Sequence, residues 1–160
     1  METITRNEII ERLKKYFDIR ELVCPHTYKK FGDKSWMFLS TEILHTLLVL
    51  RTVILDVPLI CNNYMIQGGT LSQRGLRCNL CSLVKEKTEN GILYLTAHMN
   101  GCGLDLTSTY MSAKEMQARI KKNIDKLPYG IRMEMLTDKV NWLHIDCYHY
   151  GDDKIVMFNG

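Results

Sequence analysis

Apolar positions in this chain keep two different rhythms, a helical one early and an alternating one late. Over residues 5–17, Ile9, Ile10, Leu13, Tyr16 and Phe17 recur at helical spacing and define one face. Thr5 with Glu8 three positions on is a capping-box pattern, so a helix is expected to open there. A second helix is expected to start at Ser40 or Thr41, burying Ile43, Leu44, Leu47, Leu48 and Leu50. A third is expected over residues 112–123, opened by Ser112 with Glu115. Residues 24–38 carry Pro25, Gly32 and scattered aromatics and read as a loop, as do residues 62–75 around Gly68 and Gly69. Residues 131–136 and 140–148 read as two strands of a hairpin joined through Thr137, Asp138 and Lys139. Shorter strands are expected at 59–61, 93–97 and 154–158. Helices lead and strands follow without regular alternation, which predicts an α+β fold. No repeat, low-complexity tract or Pro/Gly/Ser linker divides the chain, so residues 1–160 are expected to form one domain.

Composition narrows this picture. The 160 residues are 46% hydrophobic and 24% charged, which suits a folded chain with a real core. No apolar run approaches the ~20 residues that span a bilayer, and the longest, 47–55, is broken by Arg51. No membrane span is expected. The net charge of +3 is mild, and Lys14–Lys15, Lys29–Lys30 and Lys121–Lys122 are isolated pairs that read as solvated faces. No nucleic-acid partner is therefore expected. The amino terminus runs directly into an amphipathic pattern, so synthesis in the cytoplasm without a secretory leader is the expectation. In that setting Cys24, Cys61, Cys78, Cys81, Cys102 and Cys147 are expected to be free thiols. Cys78 and Cys81 form a C-x-x-C, and Cys24 lies close to His26. The two pairs read either as buried small residues or as the ligands of a structural zinc site.

Candidate chemistry concentrates in two stretches. In the first, His98 and Asp105 stand seven apart with Gly101 and Gly103 between them, and the small residues permit a tight backbone path. In the second, Trp142, His144 and Asp146 alternate within a strand pattern and so share one side. Two imidazoles and a carboxylate supply three N/O ligands, the number a catalytic zinc site uses while keeping a fourth position for water. Read more plainly, His144 is a satisfied core histidine and Asp105 a cap.

The order His98-x6-Asp105 followed by Trp142-x-His144-x-Asp146 resembles the M15 family of zinc D-alanyl-D-alanine peptidases, whose signature is roughly S-x-H-x-x-G-x-A-x-D. Here Thr96 replaces the serine and Gly103 the alanine, while His98, Gly101 and Asp105 match. Upstream, Asn62–Asn63–Tyr64, Gly68–Gly69 and Gln73–Arg74–Gly75–Leu76–Arg77 look like the arginine-bearing loop of phage and bacterial members. The resemblance covers residues 59–148. It implies a hedgehog/DD-peptidase-like fold, a small antiparallel sheet with flanking helices. It also implies one catalytic zinc on His98, Asp105 and His144, and hydrolysis of peptidoglycan stem or cross-link peptides by a carboxypeptidase or endopeptidase. A phage or prophage lysin fits cytoplasmic synthesis followed by action on the cell wall after release. Many members carry an acid three positions before the last histidine, and this chain has Asn141 there. Glu134 is then the expected general base and acid, with Asp138 in the turn as the other candidate. Arg77, with Arg74 behind it, is expected to hold a substrate carboxylate, and Trp142 to wall the cleft. Asp146 is a candidate to orient an imidazole. Loss of the acid at Asn141 also fits a catalytically weak or inactive metal-binding protein on the same fold.

Overall fold

The computed structural model describes residues 4–148 and 151–160. Its amino-terminal half is helical, with α1 at Arg6–Leu13, α2 at Ile19–Leu22, α3 at Pro25–Phe31 and α4 at Thr41–Val49. Further on come α5 at Ser82–Glu89 and α6 at Ala113–Lys122. The strands are β1 at Gly103–Leu106, β2 at Ile131–Glu134, β3 at Leu143–Asp146 and β4 at Ile155–Phe158. The α+β expectation holds.

Helix boundaries follow the caps. Thr5 and Glu8 close the reciprocal box at α1, and Ser112 and Glu115 do so at α6. The Ser40 hydroxyl accepts the Ile43 N–H at the start of α4. Helix α1 stops at Leu13, short of residue 17, so Tyr16 is exposed while Phe17 turns inward. The reading of residues 24–38 as a loop is wrong. Pro25 occupies the first turn of α3, where its missing N–H costs nothing, and a 3-10 turn follows at Gly32–Phe38. Helices α2 and α5 were not expected from the pattern. A capping box of Asp18 and Glu21 starts α2.

The four strands lie in the order β1-β3-β2-β4. Strands β1 and β2 flank β3 antiparallel, but β4 runs parallel to β2, so the sheet is mixed and not purely antiparallel. The expected strand at 93–97 is absent, and 59–61 contributes only the bridge Ile60–Thr107. The hairpin is there, with a longer connection: Arg132 pairs with Asp146 and Met133 with Ile145. That register brings Glu134 level with His144, two residues beyond the Asn141–Trp142 region it was expected to face.

One large core joins the helices to the sheet. Leu44 and Leu47 of α4, Met116 and Ile120 of α6, Leu104 and Leu106 of β1, and Leu143 and Ile145 of β3 are almost fully buried within it. Each such side chain contributes ~1.5–3 kcal/mol on burial. Among the described residues, no single helix is long and apolar enough to cross a membrane.

Candidate metal centre

The site grows out of the β1–β3 ladder. Asp105 and His144 are direct cross-strand partners, so their side chains stand on one rung and face the same side. His98 comes from the preceding loop. That loop turns at Gly101, whose φ of +67° suits glycine, and a Cβ there would fall 1.8 Å from the Phe38 carbonyl oxygen. The loop is further held by N–H bonds from Cys102 to the Ala97 carbonyl and from Ser40 to the Gly101 carbonyl.

The three groups converge. One ligand atom from each of His98, Asp105 and His144 lies within 4.8 Å of the others. His144 Nδ1 is 2.7 Å from Asp105 Oδ1, and His98 Nε2 is 3.4 Å from Asp105 Oδ2. All three are buried. The far nitrogen of each imidazole is occupied. His98 Nδ1–H donates to the Gly75 carbonyl at 2.9 Å, and His144 Nε2–H donates to Asp146 Oδ2 at 2.9 Å. Arg132 donates from Nε and Nη2 to the two oxygens of Asp146, both at 2.9 Å. This arrangement fixes the rings and leaves His98 Nε2 and His144 Nδ1 turned toward the shared carboxylate, as metal-binding histidines require. The donor set fits a divalent ion.

Without an ion, a protonated His144 stands between the ionised carboxylates of Asp105 and Asp146. Burial opposes ionisation of Asp105, but the hydrogen bonds and charge of His144 and His98 outweigh it and hold its carboxyl well below the usual range. Burial likewise disfavours the His144 cation, yet Asp105 and Asp146 raise it to about 9. Burial would raise Asp146 as well, and the bonds from His144 and Arg132 bring it below the ordinary value.

A cleft of about 310 Å³ opens over the triad. Arg77, Tyr94, Glu134, Trp142 and Phe158 line it together with His98, Asp105 and His144. Burial pushes the Glu134 carboxyl up, with Asp105 adding to the shift and His144 opposing it. Arg77 donates from Nε to the Gln73 carbonyl, from Nη1 to the Tyr94 hydroxyl and from Nη2 to Asp105, which leaves one N–H on each terminal nitrogen for a ligand. The Trp142 indole N–H and the Thr96 hydroxyl, both in the cleft wall, are buried without a hydrogen-bond partner. Such orphaned donors carry a desolvation cost.

Two expected residues stand elsewhere. Asp138 is exposed in the 135–142 connection and does not line the cleft, because Thr137 Oγ1 organises that turn by accepting N–H groups from Lys139 and Val140. Arg74 lines an adjoining cavity of about 290 Å³, shared with Arg77 and Trp142, and its guanidinium lies 5.6 Å from the Trp142 ring. Asn141 is exposed. Sequence reasoning missed Tyr94, Arg132 and Phe158. The last packs edge-on against His144 at 5.5 Å and lies 4.5 Å from the Arg132 guanidinium. A larger hollow of about 450 Å³ beside Phe17 and Trp36 holds no metal-binding group of residues among those described. No family model matches the chain, and comparison with curated proteins and with solved structures finds no match either.

Proposed function

We propose that the protein is a zinc-dependent peptidase that hydrolyses peptidoglycan stem or cross-link peptides. The observation that carries this reading is the buried His98–Asp105–His144 triad, both rings oriented by outer hydrogen bonds, at the floor of a cleft with a raised carboxyl on its wall. His98 Nε2, the Asp105 carboxylate and His144 Nδ1 would hold the ion. When bound, zinc lowers the pKa of a coordinated water to ~7 and polarises the scissile carbonyl.

The chain's own groups do the rest. Glu134, level with His144 on the neighbouring strand, takes the proton of the attacking water. It returns that proton to the leaving amine nitrogen as the C–N bond breaks. Arg77 offers its two uncommitted N–H groups to a substrate carboxylate, which a stem peptide supplies at its terminus or on a diamino-acid side chain. Asp146 and Arg132 keep the His144 ring in place.

The test is turnover of purified muropeptides by zinc-loaded protein, followed by mass spectrometry. Products are expected from the wild type and not from H144A. A second reading, metal binding without hydrolysis, is favoured by the exposed amide of Asn141 where an acid would stand in the resembled family. Zinc retention with no cleavage of any wall peptide would establish that second reading and sink the first.

A further inference from the structure

We propose that Cys24, His26, Cys78 and Cys81 form a second, structural zinc site that fastens the cleft's arginine-bearing wall to the helical half of the molecule. The assignment is independent of the reading of the cleft.

The four side chains come from two segments remote in sequence. Their ligand atoms nonetheless lie within 4.8 Å of one another. Cys78 Sγ is 4.0 Å from Cys81 Sγ, and Cys81 Sγ is 3.8 Å from His26 Nδ1. Zinc–sulfur bonds of ~2.3 Å and zinc–nitrogen bonds of ~2.0–2.1 Å in a tetrahedron give ligand–ligand edges of roughly 3.4–3.8 Å. The Cys78–Cys81 and Cys81–His26 edges are already within a few tenths of an ångström of these values, and no edge has to shorten by more than about 1 Å. All six cysteines are free thiols, so none of the three is committed to a disulfide.

The backbone presents these atoms. A parallel bridge joins Val23 to Leu76, and the Cys24 N–H donates to the Leu76 carbonyl at 3.0 Å. Cys24 and Cys81 both sit at helix starts, of α3 and α5, and neither side chain is used as a cap. The turn from Cys78 to Cys81 is closed by the Cys81 N–H on the Cys78 carbonyl at 3.1 Å. Cys24 and Cys81 are buried, Cys78 is half-buried and His26 is exposed, an arrangement that admits an ion from one side.

The packing also calls for such a fastening. Residues 78–99 join only a small satellite core, in which Cys24, Cys81 and Val84 are buried and Cys78, Tyr94 and Met99 pack against them. The apolar side chains of Leu80, Ile92, Leu93 and Leu95 in this segment are exposed. Apolar burial is thus too slight to hold the segment, and three thiolates with one imidazole make a closed, soft donor set suited to zinc. The function of the fastening follows from adjacency. Arg77 immediately precedes Cys78, its N–H donates to the His98 carbonyl at 3.1 Å, and Tyr94 holds its guanidinium.

Elemental analysis and X-ray absorption on the full chain test this. Protein purified with zinc is expected to carry two ions per chain, and H144A one. In H144A the remaining absorption shell should consist mainly of sulfur. Cobalt-substituted H144A is expected to show the thiolate-to-cobalt charge-transfer band, and C78S with C81S to lose it. The conservative variant Cys78→His should keep the ion while weakening that band. An H144A protein that retains no zinc, or a retained ion with no sulfur in its shell, overturns the proposal. Loss of muropeptide cleavage with both ions present would touch only the hydrolase reading.

Discussion

At the scale of single residues, the proposed hydrolysis gives Glu134 and Asp146 different roles, one chemical and one supporting. Glu134 lines the cleft without joining the triad. Glu134→Gln is expected to lower kcat by about 10²–10⁴-fold with zinc content unchanged. In the metal-free protein burial holds this carboxyl above the ordinary glutamate value. A pH series of kcat with both proteins checks the expected loss. Asp146→Asn should instead weaken metal binding by about 10–100-fold, since it relaxes the His144 ring; competition against a chelator reads this directly.

The same residues set a pH dependence for the metal-free protein. Asp105 and Asp146 have depressed folded values, so their contribution is present above the unfolded carboxylate value of ~3.9 and is lost as pH falls below it. His144 is raised from 6.5 to about 9, so its contribution is complete below 6.5 and is lost as pH climbs to about 9. Thermal midpoints of chelator-treated protein should therefore be highest between these flanks and decline on both. Zinc-loaded protein should gain over the alkaline interval, where the ion replaces the proton on Nδ1. A flat midpoint across both flanks would contradict the ion-pair network.

At the scale of elements, side-chain rhythm and caps made α1, α4 and α6 legible, because those signals are local. The β2–β3 hairpin and β4 were readable for the same reason. Strand β1 was hidden because Gly103 precedes its apolar residues, and the Asp105–His144 rung that defines the site is a tertiary pairing. Spacing brought forward His98, Asp105, His144 and Asp146, and the family resemblance implied His98, Asp105 and His144 as the ligands. Neither could name Arg132, which meets Asp146 through the β2–β3 pairing, or Phe158, which reaches His144 because β4 lies beside β2. Conversely, residues 93–97 alternate like a strand, yet find no partner strand among the described residues and leave Leu93 and Leu95 outside. Among loop positions, Gly101 carries the clearest demand. Gly101→Ala should displace the 98–102 turn, costing about 1–3 kcal/mol in stability and lowering zinc retention, as denaturant melts and metal analysis would show.

At the scale of the whole molecule, apolar packing and the two candidate ion sites occupy different ground. The large core runs through α1, α4, α6 and the sheet, and it contains neither the triad nor Cys24, Cys78 and Cys81. Chelation is therefore expected to leave the far-ultraviolet dichroism nearly intact while making residues 78–99 newly open to limited proteolysis. A collapse of helical signal on chelation would contradict that division. If it holds, the newly made polypeptide need not wait for its minerals. It can acquire shape first and be loaded later, so scarcity of metal would yield a dormant, well-formed reserve instead of debris.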